Sequence, residues 1–506
     1  MGRIISILEN GCRKPVLFER RHPMIRSQSA KTILSPGEPL GTSTERQTAS
    51  ALRRRLAIVF FATYAVLLLV AGNDHLRNPT FHFDDVPALF LLPEEYFSKA
   101  VSEGRWLNYV WHLRGVYTPP WLNFQFYLAG WSLFLASAAT NVFRTGPLHY
   151  PLLMAVLAAL GPQATLMSGW YNTLIPGVWL LAAFSVAALF MSERAGRWLL
   201  AVFVPISLQV YTSYQFLILG ICLLREDRPK TLQALWHIVI LFGASLVVGI
   251  LLIFATNYAI VGVFGVEPAT WREAVPPKDF QDLVANFAIV RSSLIEAFVA
   301  TGSGSAPHAT LIFLLFLASL GVLAMTQPDD AVAICMVMLA GLGFLALLGV
   351  AKGMEFPARA TGFTWFMFAV ASVAAARAIG SFAARMSQAA IVAITVLGLV
   401  QAGTALDHFG RASAWQAQVT DLARRIPDGT ELVYIYGPGE LMPRSHQPDS
   451  QLDLIFHLAI AAGIPTTDCE ITPGNCRHLS PPSGADGVDN ALQVDTQGRV
   501  TFLKLP

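Results

Sequence analysis

The chain reads as a polytopic α-helical membrane protein with about eleven spans and a small C-terminal α/β domain. Three observations predict this. Of 506 residues, 54% are hydrophobic and only 13% are charged, about half the charged share of a soluble chain. The mean hydropathy is +0.51. Between Leu56 and Ala405 there recur apolar runs near the 20 or so residues that a helix needs to cross a bilayer, and polar, mixed sequence follows them. The formal net charge of +2, with no basic stripe interleaved with aromatics, argues against a nucleic-acid partner.

Residues 1–52 are polar and rich in Arg, Ser, Thr and Pro, and they lack the apolar core of a cleavable signal peptide. They are expected to form a mostly disordered cytoplasmic tail, with Met24 an alternative start. Residues 53–406 form the membrane domain. Its first span, Leu56 to Ala71, follows Arg53, Arg54 and Arg55, the kind of cluster that stays on the cytoplasmic side. Further spans are expected near 121–140, 148–168, 174–191, 198–210, 213–224, 235–256, 308–325, 331–350, 361–376 and 388–406. The pair 198–210 and 213–224 is read as a re-entrant hairpin, because Arg194 and Arg197 precede it and Arg225, Arg228 and Lys230 follow it. Polar residues from Tyr211 to Gln215 mark the turn; a single helix with a polar kink is the competing reading. With both limbs counted, the N-terminus lies inside, and everything after Ala405 lies outside. Two amphipathic segments, Pro93 to Trp106 and Phe280 to Val299, are expected to lie on the outer surface.

Residues 407–506 read as an outer-face domain. Ala414 to Arg425 and Gln451 to Ala462 have helical periodicity, and Glu431 to Tyr436 alternates as a strand. Leu492 to Leu505 holds two strand-like runs around a turn at Asp495 to Gly498. Cys469 and Cys476, with Pro473 and Gly474 between them, have a spacing compatible with a looped disulfide, which a periplasmic location permits. Cys222 and Cys335 lie in apolar spans and are expected to be buried small hydrophobes. A zinc site is not expected, since only His478 stands near the cysteine pair.

Phe81, His82, Phe83, Asp84 and Asp85, just beyond the first span, carry the most chemical content. Two ionised carboxylates beside a bilayer are costly to desolvate and repel each other. Arg105 in the outer loop, and Lys352 and Arg359 across a second outer loop, supply cations on the same face. A lipid phosphate fits both the charge and the depth, and the planar fork of arginine suits it. The plainer alternative is a cation that only snorkels to the headgroups. Trp170, Tyr171 and Asn172 at an outer turn are suited to stack on or hydrogen-bond a sugar, or, for the two aromatics, to sit in the interfacial belt.

Four short elements in this order resemble a known family. They are the acidic pair Asp84 and Asp85 after the first span, Gly104, Arg105 and Trp106 in the next surface helix, Tyr214 and Gln215 in an apolar hairpin, and Pro357 with Arg359 late in the membrane region. Across residues 55–405 the chain resembles the GT-C class of polyprenyl-phosphate-sugar-dependent glycosyltransferases, and among them the serotype-converting O-antigen glucosyltransferases. The resemblance implies a GT-C-like fold in a bacterial inner membrane. It also implies transfer of a hexose, glucose in that family, from a polyprenyl-phosphate sugar to a hydroxyl of a cell-envelope glycan on the periplasmic face. One of Asp84 and Asp85 would be the general base, and the other an orienting group or a contact for a divalent ion. Arg359, with Lys352 or Arg105, would hold the donor phosphate, and Tyr214, Gln215, Trp170 and Asn172 would contact substrate. The C-terminal domain is not covered by the resemblance. No Gly-rich phosphate-cradling loop is present. A transporter or flippase of lipid-linked glycans is the alternative; it needs ionisable residues within the spans, and these spans are nearly free of them.

Overall fold

A computed structural model describes residues 43–90, 93–228, 230–267, 274–436, 450–468, 493–497 and 500–504. Contacts divide the chain into two units, a helical one from Leu52 to Gln416 and a smaller one that holds the strands.

The first helix, α1 (Ser43–Arg77), starts inside the stretch expected to be tail, because Glu, Gln, Ala, Leu and Arg from 45 to 55 are all good helix formers. It kinks at Gly72, whose φ of +73° only glycine adopts without strain. It ends before Asn78 and Pro79, since a residue preceding proline is driven out of the helical region. After a 3-10 turn at Phe83–Asp85 come three short helices, α2 (Val86–Phe90), α3 (Pro93–Glu103) and α4 (Trp106–His112). The bundle continues through α5 (Pro120–Val142), α6 (His149–Ala159), α7 (Pro162–Met167), a 3-10 turn at Ser168–Trp170 and α8 (Tyr171–Phe190). Next are α9 (Glu193–Leu208), α10 (Tyr214–Leu224), α11 (Leu232–Val261), α12 (Phe280–Thr301), α13 (Ala306–Thr326) and α14 (Pro328–Lys352). A 3-10 turn at Ala358–Thr361 leads into α15 (Gly362–Gly380), and α16 (Ala384–Arg424) closes the unit. Among the described residues, eight helical stretches are long and apolar enough to cross a membrane. The protein is a polytopic helical membrane protein.

The expected span at 148–168 is two helices. Pro162 has no N–H to donate and its ring clashes with the preceding turn, so the helix breaks at Leu160 and Gly161. Trp365 fills the break: its Nε1 donates to the Leu157 carbonyl at 2.8 Å, meeting a backbone group that a broken helix leaves open.

Contacts assign helix termini to two ends of the bundle. One end is basic. There Arg55 donates to the carbonyls of Arg144, Gly146 and Pro147, Arg228 pairs with Asp330 at 2.6 Å, and Arg377 pairs with Glu226 at 2.6 Å. Arg225, just after α10, donates to the carbonyl of Met191, just before α9. The two helices therefore leave and return at the same end, the hairpin that the flanking arginines ask for. Its break packs against α4, with Leu107 N on the Gln209 carbonyl at 3.3 Å and Asn108 Nδ2 on that of Val210 at 3.1 Å.

By length and apolarity α12 qualifies as a crossing helix, yet its two ends lie at one end of the bundle. Arg228 and Asp330 place the starts of α11 and α14 together. Their far ends meet where Lys352 Nζ reaches the Val266 carbonyl at 3.5 Å and Val275 N donates to Gly353 O at 3.2 Å. Asn286 of α12 donates to Val350 O there. Gln327 alone joins α13 to α14, so α13 starts at that same far end, and α12 finishes four residues before it. The helix lies across the non-basic end, where the amphipathic 280–299 segment is expected.

In the smaller unit, β1 (Leu432–Tyr436), α17 (Ser450–Ala462), β2 (Thr466–Asp468), β3 (Gln493–Gln497) and β4 (Val500–Lys504) form a sheet of order β2-β1-β4-β3. β1 is parallel to both β2 and β4, and β3 is antiparallel to β4. The unit is thus α/β, with β1-α17-β2 as its crossover. β2 is not among the expected strands, and Asp495, Thr496 and Gln497, expected in a turn, belong to β3. The boundary expected at 407 lies inside α16, whose apolar face continues without a break through Phe409, Ala412, Trp415, Val419 and Leu422. Cys469 and Cys476 lie outside the described residues. Cys222 is buried as expected, whereas Cys335, on α14, is exposed because its side of the helix has no neighbouring helix packed on it.

A Cβ at position 161 would stand 2.3 Å from Trp365 Cδ1. Gly161→Val is expected to cost about 1–3 kcal/mol of stability, as overpacking does, read as a lower unfolding midpoint in detergent; an unchanged midpoint would show that the Trp365 contact does not hold the break.

Candidate active site

The acidic pair is built by the meeting of two chain segments. His82 N donates to Gly169 O and Asp85 N to His82 O, both at 2.8 Å, which pins the Phe83–Asp85 turn to the start of α8. Asp85 is fully buried. One of its oxygens accepts from Asn172 N at 2.9 Å and from Asn172 Nδ2 at 3.4 Å, and the other accepts from Thr173 N at 3.0 Å. A carboxylate on the open N–H groups of a helix N-terminus is held by both hydrogen bonds and the helix dipole. Burial nevertheless pushes its carboxyl up to about 6, against the opposing pull of these bonds.

Asp84 has the opposite environment, and its side chain is 22% exposed. Lys99 Nζ lies 2.6 Å from Oδ2, Trp170 Nε1 donates to that same oxygen at 3.3 Å, and His82 Nδ1 stands 3.6 Å away. Burial acts to raise its carboxyl, but the Lys99 and His82 charges and the Lys99 and Trp170 hydrogen bonds outweigh it and hold it at about 2. Trp170 is packed on the His82 ring, 4.3 Å between centroids, and the Arg359 guanidinium lies 4.2 Å from the centre of the indole. Arg359 has no ion pair among the described residues.

The structure thus gathers Asp84, Asp85, Trp170 and Arg359 at one place. Arg105 sits nearby at the start of α4, held by Glu103 at 2.8 Å and facing the Tyr211 ring at 5.3 Å. Tyr214 and Gln215 are buried at the hairpin break, where Gln215 Nε2 donates to the Thr212 carbonyl. Asn172 faces inward and is engaged within the fold: besides Asp85 it holds Asn123, whose Nδ2 donates to Asn172 Oδ1 at 2.7 Å. Lys352 is not drawn into the cluster; its described partner is the Val266 carbonyl. Among the described residues no three His, Cys, Asp or Glu side chains converge to hold a metal ion, and it is an ammonium that faces Asp84.

Lys99 is the group that sequence reasoning missed. It is the only lysine between Arg55 and Lys230, placed four residues after Glu95 on an amphipathic helix, so it reads as half of a surface i,i+4 pair. Its isolation was the available signal. Comparison with family models, curated proteins and solved structures finds no match.

The two acids are expected to separate in a stability measurement. Asp85→Asn should cost about 1–3 kcal/mol, because it leaves one of the two buried backbone N–H groups of Asn172 and Thr173 without its acceptor. A raised carboxyl pKa favours the protonated folded state, so this contribution is complete near pH 3.8 and lost as the pH rises through about 6. The midpoint advantage of wild type over Asp85→Asn should therefore shrink between those values and stay level above pH 7. For Asp84 the sign is reversed: its contribution holds above pH 3.8 and is lost as the pH falls through about 2. The gap between wild type and Asp84→Asn should then be flat from pH 5 upward.

Proposed function

We propose that the protein is a membrane glycosyltransferase of the GT-C type, moving a hexose from a polyprenyl-phosphate sugar to a hydroxyl of a cell-envelope glycan. The observation that carries this reading is the convergence of Asp84 and Arg359 on one indole, Trp170, at the end of the bundle away from the basic cluster. A carboxylate at the edge of a ring and, on its face, a guanidinium with no ion pair among the described residues suit a reaction that takes a proton at one point and releases a phosphate at another.

Topology supports the placement. Arg53, Arg54, Arg55, Arg144, Arg225, Arg228 and Arg377 gather at or near one end, which the charge rule assigns to the cytoplasm. With α6 and α7 read as one broken pass and the α9–α10 hairpin as two, the passes number eleven, and the acidic pair, which follows the first, falls opposite the basic end, the face this reading takes as the periplasmic side of a bacterial inner membrane.

The donor's tail also has a place. An apolar cavity of about 170 Å³ lies between α12, α13, α14 and α15, lined by Leu294, Phe298, Phe313, Met338 and Phe368, and by Thr361, which is two residues along the chain from Arg359. A prenyl chain in this groove brings its phosphate to the guanidinium.

In the reaction, the acceptor oxygen bonds to the anomeric carbon while the bond from that carbon to the phosphate oxygen breaks. Asp84 takes the acceptor proton, and the prenyl phosphate leaves with the electron pair, stabilised by Arg359. Asp85 is a positioning residue: fully enclosed, it holds the turn that aims Asp84. This assigns the two acids different roles.

The test is transfer of radiolabelled hexose from polyprenyl-phosphate hexoses by the purified protein. Asp84→Asn is expected to lower kcat about 10²–10⁴-fold, the range of a general base, in protein that is still folded at the assay temperature. Arg359→Ala is expected to lower kcat and kcat/KM together, as loss of transition-state charge stabilisation does. Near-normal turnover by Asp84→Asn removes the base assignment, and no transfer by wild type from any such donor removes the reading.

A further inference from the structure

We infer that Lys99 couples the base to the leaving group: it pairs with Asp84 in the protein alone and passes to the donor's phosphate as the reaction proceeds. This deepens the transferase reading above and rests on it.

The geometry starts from one oxygen. Asp84 Oδ2 receives Lys99 Nζ at 2.6 Å together with the Trp170 N–H. Both side chains of the ion pair are partly exposed, 18% for Lys99 and 22% for Asp84, so the pair opens outward instead of being sealed in the core. Lysine is a compact charge on a flexible stem of four carbons, able to exchange one oxygen partner for another without moving its helix. Arg359, by contrast, is stacked on the face of the indole.

Charge bookkeeping then assigns the exchange. A polyprenyl-phosphate sugar is a phosphodiester with one negative charge, which Arg359 matches. When its bond to the sugar breaks, the phosphate becomes a monoester and gains a second. In the same event Asp84 takes the acceptor's proton and loses its charge. One negative charge has moved from Asp84 to the phosphate, and Lys99 follows it. Without this exchange, a carboxylate held at about 2 by its ammonium partner is a poor match for a hydroxyl proton. With it, the cost of protonating Asp84 is offset by a new ion pair at the leaving group.

The other groups that act on Asp84 do not make this exchange. His82 is on its own segment and stacked on Trp170, Arg105 is tied to Glu103, Tyr96 of the Lys99 helix is buried against His112, and Asp85 is held by the start of α8. Lys99 is the mobile cation.

The experiment uses dodecyl phosphate, a monoester like the product, with the full-length protein in detergent. The Asp84 carboxyl is followed by infrared difference spectra against Asp84→Asn. Saturating dodecyl phosphate is expected to raise the pH at which Asp84 titrates by about one pH unit or more. Lys99→Met is expected to bind dodecyl phosphate roughly ten- to a hundredfold more weakly, the loss of one charged hydrogen bond, and to show Asp84 titrating higher with or without it. Lys99→Arg, which keeps the charge, should retain most of the binding and controls for a folding defect in Lys99→Met. An Asp84 titration that saturating dodecyl phosphate leaves in place, or wild-type affinity in Lys99→Met, overturns the inference. Neither result touches the transferase reading, which falls only if wild type transfers no sugar.

Discussion

The site depends on one buried carboxylate at a helix N-terminus. Asp85 joins segments 87 residues apart by accepting the first free N–H groups of α8, and Asn172 extends the joint to Asn123 on α5. A helix start buried without acceptors is costly, and an acid buried without donors is costly; each removes the other's penalty. Once that joint is made, the neighbouring residue in the turn has little freedom. Asp84 points to Trp170, and Trp170 is reached by Arg359 from a third part of the chain.

Around this joint the bundle is organised by where polar groups are tolerated. Most of its charged side chains lie near its two ends, and the backbone breaks between α6 and α7 and between α9 and α10 are backed by specific partners, Trp365 in one case and Asn108 in the other. Close packing at the hairpin needs glycine: at Gly196 of α9 a Cβ would strike the Arg225 guanidinium, and at Gly177 of the neighbouring α8 it would strike the Tyr214 ring. Small residues thus serve here what they serve in any lipid-embedded bundle, where packing must stand in for the hydrophobic effect.

Much of the helical architecture was legible because hydropathy and flanking arginines speak directly to burial and sidedness. The hairpin between Arg197 and Arg225 and the surface position of the 280–299 segment both follow from charge and parity. The division of labour within the acidic pair was not legible, since it is decided by the N–H groups of Asn172 and Thr173, far away in sequence. Lys99 was hidden for a different reason: a single lysine on an amphipathic helix has the ordinary appearance of a solvated face. The break at Gly161 was present in the Gly-Pro dipeptide but was outweighed by the apolar run around it, and the reach of α16 past 406 was masked by polar residues that occupy only its outer stripe.

The stacking of Arg359 on Trp170 has an electrical consequence. The indole presents its face to the guanidinium and its N–H edge to the carboxylate, so one rigid ring orders both charged groups at once while Lys99 pairs the acid. A ligand that reaches both groups meets partners whose directions are already set by the ring.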